Sequence, residues 1–184
     1  MRIVGGAQRG VKLAEVGAGD TAAHLRPTSD RVRESLFNVL AGGRFGDPVT
    51  GARVLDLFAG TGALGLEALS RGAAHASFVD SGSTALSLIA ANIAKLRREG
   101  NTTVLPVEVD AIPPGRPCSL IFLDPPYGQR LGAAALAWAR AQGWIAPGAL
   151  IVWEENAPQI APPGYARRDT RAFGETHLTF LEAL

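Results

Sequence analysis

The amino-acid sequence predicts a single α/β domain on a mostly parallel sheet, preceded by a small N-terminal extension. Three observations lead to this fold. From residue 53 onward, short apolar stretches alternate with segments of helical periodicity, the pattern of a sheet with helices on both faces. A glycine-rich turn follows the first apolar stretch, where such folds place a ligand. Two stretches near 165–172 and 176–182 flank Gly174, which predicts a C-terminal antiparallel hairpin at one edge of the sheet.

The N-terminal extension covers residues 1–44. Short strands are predicted over residues 2–4 and 11–16, around glycine breaks, and together they form a predicted hairpin. The loop 26–30 supplies helix-capping side chains. An apolar helix face follows it and contains Val32, Leu36, Phe37 and Leu40. Gly42 and Gly43 end this helix.

Residues 45–184 form the predicted main domain, in which strands and helices alternate. The predicted strands cover 54–58, 76–80, 103–107, 120–124 and 149–153. The predicted helices pass through Leu64 to Leu69 and cover 83–98 and 131–142. Because successive strands are separated by long connections, most of them helical, they should pair in parallel.

The two parts of the chain differ in charge. Residues 1–44 contain seven basic and four acidic side chains, a net charge of +3, whereas residues 45–184 have a net charge of −2. A basic face suits a polyanionic partner, since Lys and Arg that neutralise phosphates release counterions. A solvated surface explains the same charges equally well.

Composition narrows the class of protein. The chain is 47% hydrophobic and 19% charged, and none of its apolar runs approaches the roughly 18 residues of a membrane span. Without a secretory signal and with Cys118 as its one cysteine, it is expected to be cytoplasmic and free of internal disulfides. Cys118 is interpreted as a small buried residue. The three histidines show no ligand spacing, so no metal is predicted, and a monomer is expected.

The glycine-rich turn has two possible ligands. Gly60–Gly65 fits the pattern G-x-G-x-x-G, and Asp80 follows 20 residues after Gly60, as in dinucleotide-binding folds. Asp56 distinguishes the alternatives, because a carboxylate at the mouth would repel a pyrophosphate. The same carboxylate would favour the ammonium and sulfonium of S-adenosylmethionine. A tight turn without a ligand remains an alternative.

Acidic residues also follow the next two predicted strands. Asp80 is placed to accept hydrogen bonds from ribose hydroxyls, and Asp110 and Ala111 to contact the adenine edge. An ordinary turn aspartate is the alternative for Asp110. The predicted cofactor-binding residues are Asp56, Phe58, Gly60, Thr61, Gly62, Asp80, Asp110 and Ala111.

The segment Asp124–Tyr127, of sequence Asp-Pro-Pro-Tyr, follows the fourth main-domain strand and is called here the DPPY segment. Two successive prolines keep the preceding backbone extended, which directs the Asp124 carboxylate and the Pro125 carbonyl to one point. Two acceptors there can hold both hydrogens of a planar amino group while the Tyr127 ring stacks on its base. The predicted catalytic residues are Asp124, Pro125, Pro126 and Tyr127. A turn with a packed tyrosine is the alternative.

These residues resemble the RsmD-type bacterial 16S ribosomal RNA guanine-N2 methyltransferases over nearly the whole chain. The resemblance is carried by Arg2–Gly6, Arg9-Gly10, Lys12-Leu13, Arg26–Thr28, Asp30–Glu34, Leu36–Asn38, Asp56–Ala73 and Asp124–Tyr127. It implies a Rossmann-like class I methyltransferase fold, S-adenosylmethionine as methyl donor, and a guanine of the small ribosomal subunit as target. By the same resemblance, the substrate-binding residues are Arg2, Arg9, Lys12, Arg26, Thr28, Arg31, Arg33 and Tyr127.

Three other functions are alternatives to this one. Methyltransferases of adenine N6 in DNA or of a protein glutamine carry similar segments, although Asn is commoner than Asp at the first position. A non-catalytic RNA-binding module would retain the donor pocket without turnover. An NAD-binding oxidoreductase domain would share the glycine motif, but Asp56 argues against it.

Overall fold

The computed structural model describes residues 1–15, 29–126, 128–129 and 131–184. The strands in these ranges are β1 (Arg53–Leu57), β2 (His75–Val79), β3 (Thr102–Leu105), β4 (Cys118–Leu123), β5 (Ile145–Glu155), β6 (Tyr165–Phe173) and β7 (Thr176–Ala183). The helices in these ranges are α1 (Asp30–Ala41), α2 (Ala63–Ser70), α3 (Ser83–Leu96) and α4 (Leu131–Ala141). None of these helices is long and apolar enough to cross a membrane.

The described strands form one sheet in the order β3-β2-β1-β4-β5-β7-β6. The first five strands in this order pair in parallel, and β7 pairs antiparallel with both β5 and β6. This confirms the predicted α/β fold with a C-terminal antiparallel hairpin. The strand order reverses between β1 and β4, so a crevice opens at the carboxyl ends of these two strands.

Strand β5 is longer than predicted. It begins at Ile145 rather than near residue 149. Pro147 and Gly148 read as strand breakers in the sequence, but they lie in an irregular stretch of the pairing with β4, between the Cys118–Ile145 and Leu120–Leu150 pairs. A bulge tolerates both residue types because its backbone groups leave the regular ladder.

Two apolar clusters cover the two faces of the sheet. Helices α1, α2 and α3 contribute to the first cluster, and α4 contributes to the second. Cys118 belongs to the second and is fully buried. Burial raises the pKa of its thiol to about 11, which keeps it protonated. The interpretation of Cys118 as a small buried residue is confirmed.

The N-terminal segment, defined here as residues 1–15, packs into the same core as the main domain. Ile3 and Leu13 are buried in the first cluster. The predicted hairpin is reduced to one bridge between Arg2 and Lys12. A short 3-10 turn at Gly6–Gln8 replaces longer pairing, because the segment bends there to bond with α2.

Helix α1 follows its sequence signals. The Ser29 hydroxyl accepts a hydrogen bond from the Val32 N–H at 3.2 Å, which caps the first turn. Leu36, Phe37 and Leu40 are buried against the sheet, as their spacing predicts. Gly42 ends the helix.

Candidate active site

The two motifs of the sequence meet at the crevice between β1 and β4. These strands are parallel neighbours, with Leu57 opposite Leu123, so the residues that follow each strand emerge side by side. The Asp124 N–H donates to the Leu57 carbonyl at 3.4 Å. Adjacent strands lie about 4.8 Å apart, which brings the glycine turn and the DPPY segment to the same place.

The turn after β1, residues Phe58–Gly62, is called the glycine loop. Phe58, Gly60 and Gly62 all have left-handed backbone conformations, with φ of 60°, 58° and 75°. Such angles are costly for most side chains, which explains the two glycines. Gly62 begins α2 without a side-chain cap, so the helix presents its N-terminal N–H groups toward the crevice.

Asp56 lies beneath the glycine loop rather than at its mouth. Its carboxyl is 2% exposed, and its Oδ2 accepts a hydrogen bond from the Gly65 N–H at 2.9 Å. Burial raises the pKa of Asp56 to about 8, opposed by the Gly65 hydrogen bond and reinforced by the nearby charge of Asp80. At neutral pH this carboxyl is therefore mostly protonated. The sequence predicts a charged Asp56 carboxylate at the mouth of the turn, and this prediction is wrong because the side chain is buried.

Asp80, just after β2, holds the glycine loop from the side. Its Oδ2 accepts from the Gly60 N–H at 2.9 Å, and its Oδ1 accepts from the Gly82 N–H at 2.9 Å. Each carboxylate oxygen has a further lone pair, so the half-buried side chain can still accept hydroxyl hydrogens. Asp80 therefore shapes the loop as well as facing the crevice.

Asp110 and Ala111 lie in a 3-10 turn over Val109–Ala111 and are exposed. The Ala111 N–H, expected to contact an adenine edge, donates instead to the Glu108 carbonyl at 3.0 Å. Of the two residues, Asp110 therefore has the hydrogen-bonding group that is available to a ligand, on its side chain.

The DPPY segment begins half-buried. Asp124 is partly exposed, Pro125 is buried and Pro126 is exposed, while Tyr127 lies outside the described residues. Glu155, at the end of β5, binds the backbone just after the DPPY segment. Its Oε1 accepts from the Gly128 N–H at 3.2 Å, and its Oε2 from the Asn156 N–H at 2.8 Å. The sequence leaves two interpretations of Glu154 and Glu155, a border of the site or a solvated turn, and it does not predict the contact with Gly128.

The N-terminal segment borders the glycine loop. The Met1 Sδ lies 3.8 Å from the Thr61 Oγ1, and the terminal ammonium pairs with Glu15 at 3.0 Å. Arg2 and Lys12, whose backbones form the antiparallel bridge near this point, have exposed side chains. Arg31 is exposed on the first turn of α1. Arg26 and Thr28 lie outside the described residues.

Arg33 is buried, although the family resemblance predicts that it binds the substrate. Its side chain is fully buried, and its guanidinium contacts the Arg2 carbonyl, Asp30 at 2.8 Å and Glu67 at 3.5 Å. Glu67, also fully buried, accepts the Val4 N–H at 2.8 Å. A buried guanidinium bonded in this way joins the N-terminal segment to α2 and is not available to a phosphate.

Arg9 lies far from the crevice. The side chain of the preceding residue, Gln8, donates to the carbonyl of Leu96 at 2.5 Å, and Leu96 is the last residue of α3. Helix α3 starts at the carboxyl edge of the sheet and ends at the amino edge, so Arg9 is at the opposite end from the glycine loop. Arg9 and Arg33 therefore lie outside the candidate site.

The residues at the crevice suit a ligand with hydroxyl groups and positive charge. Carboxyl groups follow or end β1, β2 and β4, and backbone N–H groups come from the glycine loop and α2. Because Asp56 is buried and mostly protonated, its charge does not separate a dinucleotide from S-adenosylmethionine at this site. In the part of the chain that the structure describes, no three His, Cys, Asp or Glu side chains group as metal ligands would.

Comparison with known proteins identifies the family. The family model described as Conserved hypothetical protein 95 matches residues 1–182. The ribosomal RNA small subunit methyltransferase D of Escherichia coli is 36% identical over 180 residues, which cover 95% of this chain and 86% of that protein. The chain belongs to the RsmD-type methyltransferase family.

Two further relatives agree with this assignment. The ribosomal RNA small subunit methyltransferase D of Haemophilus influenzae is 33% identical over 172 residues, covering 90% of this chain and 84% of that protein. The solved structure of the Escherichia coli protein yhhF matches with a TM-score of 0.82 and 34% identity, over 100% of this chain and 97% of that one. The resemblance seen in the sequence and the class I methyltransferase fold are thereby confirmed.

Proposed function

We propose that this protein transfers a methyl group from S-adenosylmethionine to the exocyclic N2 amino group of a guanine in 16S ribosomal RNA. The target is expected on the assembled or assembling small subunit. One observation carries the proposal: the glycine loop and the DPPY segment leave two adjacent parallel strands at the point where the strand order reverses. A donor and an acceptor bound to these segments would be neighbours.

The glycine loop would hold the donor. Asp80 keeps lone pairs that would accept the ribose hydroxyls, Asp110 would offer an exposed acceptor to the base, and Asp56, beneath the glycine loop, would face the charged end of the donor. S-adenosylmethionine supplies an electrophilic methyl group on a sulfonium when it is bound. The remaining catalytic contributions come from how the protein orients the amino group and its proton.

The DPPY segment would orient the acceptor. The Asp124 carboxylate and the Pro125 carbonyl would accept the two hydrogens of the guanine amino group, so its lone pair faces the donor site. The Tyr127 ring would stack on the base. As nitrogen gains positive charge, Asp124 stabilises it, and Asp124 or water takes the proton that leaves. No strong base is required, because a methylated aromatic amine is a strong acid before it loses that proton.

The N-terminal segment would contact the RNA. Arg2, Lys12 and Arg31 are exposed on this side of the molecule, where they can pair with phosphates, and Arg26 and Thr28 are proposed to join them. The relatives named above are methyltransferases of small-subunit ribosomal RNA, which supports the RNA target. Single-stranded or loop guanines expose the amino group that this site needs.

The proposal is tested by following a labelled methyl group from S-adenosylmethionine into small ribosomal subunits isolated from an unmethylated strain. Free 16S RNA, DNA and protein substrates are run in parallel, and the modified nucleoside is identified after digestion. Label in N2-methylguanosine supports the proposal. Label in adenine N6 of DNA or in a protein glutamine contradicts the RNA assignment, and donor binding without any transfer contradicts the enzymatic one.

Glu155 is expected to position the DPPY segment during this reaction. In Glu155→Gln, an amide NH2 replaces one of the two acceptor oxygens, so the bond to the Gly128 or the Asn156 N–H is lost. A lost bond of this kind is worth about 1.4 kcal/mol, so kcat/KM for the RNA should fall about tenfold with donor affinity unchanged. Steady-state kinetics and calorimetric titration with S-adenosylhomocysteine check this.

Glu182→Gln is the matched control for Glu155. The Glu182 carboxylate is partly exposed on β7 and pairs with Arg168 at 3.1 Å, away from the crevice. Exposed pairs of this kind contribute little, so the control should keep its kcat/KM. Equal losses in both variants, or a loss of donor affinity in Glu155→Gln, would contradict the positioning role.

A further inference from the structure

One buried amide contacts the glycine loop and the N-terminal segment at the same time. Asn92, in the middle of α3, is fully buried. Its Nδ2 donates to the Thr61 carbonyl at 3.0 Å and to the Ala14 carbonyl at 3.1 Å, and its Oδ1 accepts from the Ala14 N–H at 2.6 Å. No glycine, proline or charge marks this position in the sequence.

The amide of Asn92 is matched to its partners. Both of its hydrogens meet carbonyl oxygens and its oxygen meets an N–H, so a flipped amide would lose all three bonds. Asn is a poor helix former, and a buried amide is stabilised only where its hydrogen bonds are made. The three contacts therefore account for an Asn at a position where an apolar residue would suit the helix and the core better.

The contact with Thr61 restricts the glycine loop. Thr61 lies between Gly60 and Gly62, which both have left-handed conformations. Because glycines can adopt many backbone conformations, a loop that contains two of them is flexible unless other contacts restrain it. A bond to the Thr61 carbonyl fixes the peptide plane that it shares with the Gly62 N–H. That N–H in turn donates to the Ala59 carbonyl at 2.7 Å, which closes the turn.

The contacts with Ala14 extend this restraint to the N-terminal segment. Both backbone groups of Ala14 bond to the amide, and Glu15, the next residue, pairs with the ammonium of Met1. The Met1 sulfur in turn contacts the Thr61 hydroxyl. The glycine loop and the start of the chain thus share two links, and Asn92 is the buried one.

We propose that Asn92 is a positioning residue for the methyl donor, which acts by fixing the Thr61 carbonyl and by attaching the N-terminal segment to the glycine loop. The role rests on the proposed function, in that the glycine loop must be the donor site. Asn92 itself contacts neither donor nor RNA in this role. Its removal should weaken donor binding through the shape of the loop.

Ser70 provides a matched control. It is buried at the end of α2, where its hydroxyl donates to the Gly5 carbonyl at 2.7 Å and accepts from the Gln8 N–H at 2.9 Å. Ser70 thus anchors the same N-terminal segment through two hydrogen bonds, but at the far end from the glycine loop. Ser70→Ala loosens the segment and leaves the Thr61 carbonyl held.

The experiment compares Asn92→Ala and Ser70→Ala in the full-length protein. Calorimetric titration with S-adenosylhomocysteine gives the donor-site Kd, and thermal unfolding gives the stability of each variant. We expect Asn92→Ala to raise Kd about tenfold, because an unheld loop must be ordered on binding, and Ser70→Ala to change it less than about twofold. Both variants should lower Tm, so the Kd ratio, and not Tm, carries the test.

Three outcomes overturn the proposal: equal increases of Kd in the two variants, an unchanged Kd in Asn92→Ala, or no binding of S-adenosylhomocysteine to the unmodified protein. If Asn92→Ala does not fold, Asn92→Ser replaces it, since a hydroxyl can keep one of the three bonds, and the same tenfold criterion applies. The readout is separate from the RNA reaction. Binding of S-adenosylhomocysteine without methylation of ribosomal RNA would defeat the proposed function and leave the role of Asn92 to be decided by the Kd values.

Discussion

Asp124→Ala is expected to lower kcat/KM for methyl transfer by about 10³-fold or more, because alignment of the acceptor and stabilisation of its developing charge are both lost. The donor site should be largely unaffected, since Asp80 and Asn92 hold the glycine loop and both remain in this variant. Labelled-methyl transfer to small ribosomal subunits measures the first effect, and calorimetric titration with S-adenosylhomocysteine measures the second.

Asp124→Asn separates the two contributions of the carboxylate. The amide keeps one acceptor oxygen for the guanine amino group, but it carries no charge and cannot take the proton. Its activity should therefore fall between those of the native protein and Asp124→Ala. A variant Asp124→Ala that retains more than a tenth of native kcat/KM would exclude the proposed role, and so would a loss that merely follows a fall in Tm.

The fold and the two motifs were predictable because they depend on local chemistry. Glycines at Gly60 and Gly62 meet positions of positive φ, and the prolines at Pro125 and Pro126 keep the chain extended after β4. The backbone conformation at each of these positions depends on residues that are adjacent in the sequence. Parallel pairing then follows from the helices between the strands, and it brings the ends of β1 and β4 together.

The contacts that the sequence did not predict join residues that lie far apart in the chain. Asn92 bonds to Thr61 and Ala14, 31 and 78 positions away, and Glu155 bonds to Gly128, 27 positions away. A sequence pattern shows each of these side chains only next to its own neighbours, so it does not reveal the partners of Asn92 and Glu155. Their partners are decided by which strands and helices pack together.

Arg33 is the opposite case, a residue that was predicted to lie in the site but is buried away from it. The family resemblance predicts that it contacts RNA, together with Arg31 on the same first turn of α1. The helix turns it inward, where Asp30 accepts a hydrogen bond from its guanidinium and the carboxylate of Glu67 pairs with it at 3.5 Å. Arg31, two positions earlier, lies on the exposed side of the same helix. The period of the helix separates the two, but the charge pattern alone does not.

Asp56→Asn is expected to change how stability depends on pH. The pKa of Asp56 is about 8 in the folded protein, and an unfolded Asp has a pKa near 4. Between these values the folded state binds the extra proton, so the free energy of unfolding falls as pH rises. The Asn variant keeps an acceptor for the Gly65 N–H but never ionises. Relative to the native protein, it should gain about 4 kcal/mol of stability between pH 5 and pH 8.

Urea unfolding at pH 5, 6, 7 and 8 measures this difference directly, and the variant should be nearest to the native protein at pH 5. Asp110→Asn is the control, because Asp110 is exposed and its replacement should leave the pH dependence as it is. A stability difference between Asp56→Asn and the native protein that stays constant across this range would show that the buried carboxyl ionises freely in the fold.

The same carboxyl should release a proton when the donor binds. The positive charge of a bound donor above Asp56 favours the carboxylate, so binding of S-adenosylmethionine would lower the pKa of Asp56 toward its ordinary value. Calorimetric titration at pH 7 in two buffers of different ionisation enthalpy counts the protons released, and the native protein should release more than Asp56→Asn. Donor affinity of the native protein should also rise more steeply with pH, up to the pKa of about 8, than that of the variant. Equal proton release by the two proteins would show that the donor's positive charge lies away from Asp56. The glycine loop would then bind the donor through Asp80 and backbone N–H groups, and the buried carboxyl would not contribute.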